Sequence, residues 1–380
     1  MFTKCKLRLS NCTYLSNHLR KINKLVLGIE STFNDTAAAV VDQNGSVLGE
    51  LCYTQDEEHV VNQGVDTRVS QKIHAKLLPN IVNEVMKKSQ VSFQDLSAIA
   101  TATKPGSPFS LRAGLEFSQK LVAETRLPFI PVHHMESHLL TARLNQNIPF
   151  PFLTLLASGG HCIICVTQGL GQHLILGYSL DEPPGAVFDK VAREMKIAER
   201  SGEFRLNTGA DVEKLAIHGD RKQMPLKIPM LNVQNCSMSF SGLQTQTLRL
   251  IKHSSEDEYA NIAASFQFTL TSHIMKRLHR AILYSKQEKL LSDQKPTLVA
   301  SGGVMCNSYI RKALQNLCNI TDMNLVCPPP KLCSDNGIMI AWTGMEYLLA
   351  GKGISEDPQK ERFHTRYRNF SQIKLILGDY

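Results

Sequence analysis

Twice along this chain a set of short apolar runs, strung as hairpins, gives way to stretches with helical spacing, and that repeated order most limits what it can fold into. Leu25-Val26-Leu27-Gly28-Ile29-Glu30 ends at a polar turn, and Thr36 to Val41 and Val47 to Tyr53 follow as further strands. Asp42-Gln43-Asn44-Gly45 carries an Asn-Gly hairpin signal. Val69 to Lys88 is helical in spacing, Leu96 to Thr101 a strand, Leu111 to Thr125 a helix and Pro128 to Val132 a strand. In the second set, Phe152 to Ala157 runs into Ser158-Gly159-Gly160, and His161 to Thr167 and Leu174 to Ser179 continue a meander. Gly185 to Met195, residues 259–285, 307–317 and Asn336 to Leu349 read as helices, and Thr297 to Ala300 as a strand running into Ser301-Gly302-Gly303. The expectation is two related α/β domains whose nucleotide loops face a shared cleft.

The first two dozen residues differ from the rest. They hold Lys4, Lys6, Arg8, Arg20, Lys21 and Lys24, and the first carboxylate is Glu30. A basic, acid-free, hydroxyl-bearing N-terminus reads as a mitochondrial transit peptide, here residues 1–24; a basic arm for nucleic acid is the alternative. Setting the six leader cations aside lowers the net charge from +8 to +2, so charge alone says little about RNA binding. No apolar run approaches the ~18 residues that span a bilayer, so the chain reads as soluble, without membrane insertion. Cys162 and Cys165 have C-x-x-C spacing but fall in a strand, where i and i+3 face opposite sides. They read as buried, reduced thiols rather than a metal grip.

His134-Met135-Glu136-Ser137-His138 is the sharpest local signal. On a helix, imidazoles at i and i+4 share a face and can share a metal ion. Glu136 sits about 200° around the helix from His134, which removes it from the position of a metallopeptidase base. Asp335, where a loop meets a helix, is the candidate third ligand. The two Ser-Gly-Gly turns offer backbone N–H groups to a phosphate and unusual φ angles. Asp189 and Glu213 are carboxylates of the kind that bind ribose hydroxyls near such loops. Lys360 to Arg368 mixes cations with aromatics, a composition that can pair phosphates and stack bases.

These pieces resemble, in order and spacing, the tRNA threonylcarbamoyladenosine transferases, the TsaD-like family once labelled O-sialoglycoprotein endopeptidases. The matching stretches are Gly28-Ile29-Glu30-Ser31, Asp35-Thr36-Ala37-Ala38, Ser110 to Leu115, His134 to His138, Ser158 to His161, Phe188-Asp189-Lys190, Ser239 to Leu243, Ala263 to Gln267, Ser301 to Val304, Asn307 and Ser334 to Gly337. The resemblance covers roughly residues 25–350, and the leader makes it look like the mitochondrial branch.

It implies an α/β chain with two ribonuclease-H-like lobes of the actin-like ATPase-domain (ASKHA) superfamily. Lobe I would hold 25–133 plus 336–365, lobe II 134–335, and 366–380 would be a tail. It implies one divalent metal ion, zinc or iron, on His134, His138 and Asp335. It places an adenylate on Leu156, Ala157, Ser158, Gly159, Gly160, Asp189, Gly209, Glu213 and Asn307, with Asp35 assisting proton removal. The implied reaction moves a threonylcarbamoyl group from threonylcarbamoyl-AMP, made by a separate synthase, to N6 of the adenosine 3′ of the anticodon. The tRNAs would be mitochondrial and read codons beginning with A, and the enzyme would be a homodimer in the matrix. The chain departs from the family's usual pattern at Asn34-Asp35, Lys104-Pro105-Gly106, Pro183-Pro184 and Thr208-Gly209-Ala210. Two other readings are an ATP-hydrolysing actin-fold protein, which would not need the histidine pair, and a metallopeptidase. A non-catalytic RNA-binding scaffold would tolerate loss of the metal ligands.

Overall fold

The computed structural model describes residues 23–55, 67–200, 202–203, 205–292 and 294–365. The expected leader up to residue 22 and the expected tail 366–380 lie outside these residues. The described chain divides into two compact units: one up to Thr54, with Thr67–Ser137 and the segment from Asn336 onward, the other His138–Asp335.

In the first unit, β1 (Leu25–Glu30), β2 (Asp35–Asp42), β3 (Val47–Thr54), β4 (Ala98–Lys104) and β5 (Phe129–His133) form one sheet in the order β3-β2-β1-β4-β5. β1 runs antiparallel to β2 and parallel to β4, so Leu27 faces Val40 on one side and Ile99 on the other. All six residues of β1 are buried, as a central strand covered on both faces requires. The hairpin joining β2 to β3 turns on Gly45 at φ 84°, with Asp42 Oδ1 accepting from the N–H groups of Asn44 and Ser46. α1 (Thr67–Ser89) and α2 (Pro108–Thr125) belong to this unit, and α3 (His134–Leu140) follows β5 directly. A Cβ on Gly28 would lie 2.2 Å from Ala341 N of the last helix, so β1 and that helix pack backbone to backbone.

The second unit repeats the connectivity. β6 (Phe152–Ala157), β7 (Cys162–Gly169), β8 (Gln172–Tyr178), β9 (Thr297–Ser301) and β10 (Asn324–Val326) form a sheet in the order β10-β9-β6-β7-β8. β6–β7 and β7–β8 are antiparallel, β6–β9 and β9–β10 parallel. Its helices are α4 (Pro184–Met195), α5 (Ile197–Arg200), α6 (Gly209–Ala216), α7 (Ser241–His253), α8 (Tyr259–Gln287) and α9 (Ser308–Ile320). The last helix of the chain, α10 (Gly337–Leu349), returns to the first unit. Phe188 and Phe266 meet edge to face at 5.0 Å in the second core.

The expected elements are present, with shifted ends: the strand expected from Leu96 begins at Ala98, and the helix expected from Leu111 begins at Pro108. α5, α6, α7 and β10 lie outside the elements expected from the sequence. The buried positions of α7 are Leu243, Thr247 and Ile251, and the threonine in the middle hides the apolar stripe. Cys162 and Cys165 are both buried, and only Cys162 joins the core cluster that also holds Ile164 and Val166. Burial pushes both thiols up, Cys165 to about 12. Among the described residues no helix is long and apolar enough to cross a membrane.

Candidate functional site

The strand β5 ends at His133 and the helix α3 starts at His134. His134 is therefore held where a buried sheet meets a helix. Its Nδ1 lies 2.9 Å from Glu30 Oε2 and 3.2 Å from Thr32 Oγ1. Glu30 is fully buried and its other oxygen accepts from the Thr32 N–H at 2.6 Å. With Nδ1 engaged by the carboxylate, the ring presents Nε2 on its far side. One turn later, His138 Nε2 lies 3.1 Å from Asp335 Oδ1. Asp335 immediately precedes Asn336, whose side chain caps α10 by accepting from Met339 N at 2.9 Å.

His134, His138 and Asp335 each offer a ligand atom, and these atoms lie within 4.8 Å of one another. Two imidazoles and a carboxylate form a donor set that suits a first-row divalent ion. Two ligands each ~2.1 Å from one ion lie about 3.0–3.4 Å apart, so the 3.1 Å approach of His138 to Asp335 fits a shared ion. Glu136 points elsewhere: Tyr347 donates to its Oε2 at 3.0 Å. Burial and the Glu136 charge push the Tyr347 phenol well above its ordinary range. That leaves the metallopeptidase reading without its base.

The residues expected at the adenylate lie in the second unit and are tied together by short bonds. Leu156 and Ala157 end β6, and the turn Ser158-Gly159-Gly160 follows. Ser158 N donates to His161 O at 2.8 Å, and the Ser158 hydroxyl accepts from Gly160 and His161 N. Gly185, at the start of α4, donates to Ser158 O at 3.1 Å. A turn further along α4, Asp189 Oδ1 accepts from Gly209 N at 2.9 Å and so fixes the N-terminus of α6. Glu213 on α6 accepts from Ser308 N at 2.7 Å. Asn307 caps α9 by accepting from Ile310 N and donates to Gln267 Oε1 at 2.8 Å.

The glycines of the two turns differ from expectation. Only Gly302 has a positive φ, 94°, and a Cβ there would meet Ala157 O at 2.4 Å. Gly159, Gly160 and Gly303 have no positive φ, and a Cβ on any of them would enter open space. Their use is room beside the backbone rather than unusual dihedrals.

A cavity of about 710 Å³ is lined by Glu213, Ile217, Arg221, Gln267, Tyr309 and Lys312, among others. Tyr309 and Lys312 went unnoticed in the sequence; the signal was available, since Lys312 stands one helical turn after Ser308 on α9. Glu30 also carries a signal in the sequence, since a carboxylate closing a fully apolar strand is unusual. Asp35 opens β2 in the first unit, half-buried, opposite Thr54. The altered stretch before α6 is held by Arg205, which grips Asp211 at 2.7 and 2.8 Å. Burial opposes ionisation of Asp211, but bonds from Arg205 and Thr208 hold its carboxyl below the usual range. Of the expected RNA-facing segment, the part up to Thr365 is described. Phe363 there packs on the first core with Arg112 over its ring at 5.8 Å, so that ring is taken.

The family described as tRNA N6-adenosine threonylcarbamoyltransferase matches residues 46–342. The human mitochondrial tRNA N6-adenosine threonylcarbamoyltransferase is 46% identical over 368 residues, covering 94% of this chain and 89% of that one. The probable mitochondrial protein of that name from Arabidopsis thaliana is 36% identical and covers 95% and 76%, respectively. The protein of that name from Rickettsia massiliae is 38% identical and covers 84% and 92%. Among solved structures, HypF from T. kodakarensis superposes with a TM-score of 0.53 at 13% identity, over 87% of this chain and 48% of that one. This likeness bears on the fold alone: two α/β lobes of the actin-like ATPase type.

Proposed function

We propose a reaction for this chain from one premise: it belongs to the tRNA N6-adenosine threonylcarbamoyltransferase family, and it is an enzyme of that kind. The donor in this reading is threonylcarbamoyl-AMP, supplied by a separate synthase from threonine, bicarbonate and ATP. The acceptor is N6 of the adenosine 3′ of the anticodon in mitochondrial tRNAs reading codons that begin with A. The site of action is the mitochondrial matrix, and the enzyme works as a homodimer.

The observation that carries the reading is the convergence of His134, His138 and Asp335 on α3 and the approach to α10. A zinc or iron ion held there would polarise a carbonyl or phosphate oxygen of the donor. Glu30 and Thr32 engage Nδ1 of His134, which leaves Nε2 as the atom that would hold such an ion. The Ser158-Gly159-Gly160 and Ser301-Gly302-Gly303 turns receive the phosphate on backbone N–H groups. Asp189 holds Gly209 in place, and Glu213 and Asn307 border the nucleoside. The amine nitrogen bonds to the carbamoyl carbon, the bond from that carbon to the phosphate oxygen breaks, AMP leaves, and Asp35 takes the proton from N6.

The test is incubation of metal-loaded protein with threonylcarbamoyl-AMP and tRNA, followed by mass analysis of the nucleosides. Threonylcarbamoyladenosine is the expected product. Release of AMP with unmodified tRNA would overturn the reading in favour of a hydrolase. A reporter carrying residues 1–30 should enter mitochondria; a cytosolic reporter would remove the matrix assignment.

A further inference from the structure

The end of the first sheet that leads into α3 carries cations that the proposed reaction leaves unassigned. Lys104 closes β4, and its register partner on β5 is His133, the residue before His134. The turn after Lys104 is fastened to the same site. Ser107 N donates to Thr32 O at 2.9 Å, and a Cβ on Gly106 would lie 2.7 Å from that carbonyl oxygen. The Thr32 hydroxyl is in turn 3.2 Å from His134 Nδ1. The backbone of Lys104 therefore has a fixed place beside the first imidazole.

The segment that follows α10 brings further charge to this end. Ser355 N donates to Phe129 O at the start of β5. The Gln119 amide on α2 donates to the carbonyl oxygens of Pro358 and Glu361 at 2.9 and 3.3 Å. His364 N then donates to Thr103 O at 3.0 Å, near the end of β4. The segment thus climbs along α2 and arrives beside Lys104. Arg362 is exposed two residues earlier, up to about 7 Å of extended chain away. Arg112, exposed on α2, lies over the Phe363 ring.

Other surface cations of the chain are neutralised locally. Lys87, Lys190, Arg200 and Lys360 each hold a carboxylate at 2.7 or 2.8 Å. Among the described residues no carboxylate pairs with Lys104, Arg112 or Arg362, and Glu361 is occupied by the Ser355 hydroxyl at 2.7 Å. Three unneutralised cations from three segments, spread along one rim, suit a polyanion better than a single small anion. Phe363 is covered by Arg112, so this surface offers phosphate contacts and no aromatic face for a base.

We propose that Lys104, Arg112 and Arg362 form the surface that seats the phosphate backbone of the tRNA beside the metal site. The proposal rests on the tRNA reading given above and adds where the RNA lies. Phosphate contacts fix register and orientation without reading sequence, so the surface serves any tRNA that carries the target adenosine.

The test is binding of tRNA transcripts to full-length protein, followed by fluorescence anisotropy without donor over a range of salt. Each phosphate contact scales affinity as salt to a power of about −0.7 to −0.9. Lys104→Gln, Arg112→Gln and Arg362→Gln should each weaken binding about 5- to 8-fold at ~0.1 M salt and flatten the log–log slope by about 0.7 to 0.9. The triple variant should lose about 100- to 500-fold. Arg112→Lys should keep the slope, and Lys88→Gln, near the end of α1, should bind as wild type. The losses should be equal for tRNAs of different sequence. Bound ion, affinity for an adenylate analogue and melting temperature should match wild type in the same preparations. If Arg112→Gln fails to fold, the Lys104 and Arg362 variants decide. Wild-type affinity and slope in folded Lys104→Gln and Arg362→Gln protein would overturn the proposal, as would losses confined to one tRNA sequence. A wild type that binds tRNA with this salt dependence but forms no threonylcarbamoyladenosine would overturn the proposed reaction and leave the surface standing. A wild type that binds no tRNA would overturn both.

Discussion

The two sheets share one connectivity, yet their first turns differ completely. In each, a central strand pairs antiparallel with the next strand and parallel with the fourth. After β1 the chain enters Glu30-Ser31-Thr32, all buried, and the carboxylate is bonded to an imidazole. After β6 it enters Ser158-Gly159-Gly160, whose glycines are exposed with open space beside them. One copy of the fold has closed its turn around an acid bonded to a buried imidazole; the other leaves its turn open. Connectivity repeats because the hydrophobic pattern repeats, whereas chemistry is set by a few turn residues.

Removing a ligand breaks the comparison most severely. His134→Ala, His138→Ala and Asp335→Ala should each lose bound ion and lower transfer by roughly 10³-fold, the several kcal/mol such an ion supplies. Elemental analysis, transfer rate and melting temperature on the same preparations check this, because ligand loss also destabilises. Glu136→Gln should do far less; an equally dead but fully metallated Glu136→Gln enzyme would restore a base role.

The closed turn is tested next. Glu30→Gln should weaken ion binding about 10- to 100-fold by loosening His134, with adenylate affinity unchanged. Equal ion affinity in wild type and variant would reduce Glu30 to a fold residue. For the open turns, Gly159→Val and Gly303→Val should keep stability within ~0.5 kcal/mol while lowering affinity for an adenylate analogue about tenfold or more. Gly302→Ala is the contrast: its Cβ would strike Ala157 O at φ 94°, so melting temperature should fall first. Calorimetry showing full affinity in folded Gly159→Val protein would make that turn merely structural.

The smallest expected effect is a pH response confined to the second unit. His273 is buried, and its Nε2 accepts from Ser239 N at 3.2 Å. Burial, with Arg277 nearby, lowers it to about 4. The unfolded chain then binds a proton that the folded one does not, so this contribution is full above about 6.5 and fades as pH falls towards about 4. Denaturant melts at pH 7 and pH 5 should show a steeper loss for wild type than for His273→Gln. Parallel slopes would discard the assignment.

Much of this was legible beforehand because strands buried on both faces are continuous apolar runs. β6 was read with its final boundaries, and β1 likewise. The imidazole pair was legible because i, i+4 spacing is local. Glu30 was not, since its partner lies 104 positions away. Tyr347, which takes up Glu136, lies 211 positions away. Glycine at the two turns is legible in the sequence, but its reason differs by position: only Gly302 needs its φ.

No residue separates β5 from α3. An inserted residue there would swing the first imidazole by about 100° around the helix axis, and a deletion would swing it the other way. Chain length from Phe129 to Leu140 is therefore constrained, and residues gained or lost nearby are tolerated best in the loop before Phe129 or past Arg143, where the chain is neither strand nor helix until Phe152. Length variation among relatives should thus be absent between these two loops, a gap visible in gene sequences alone.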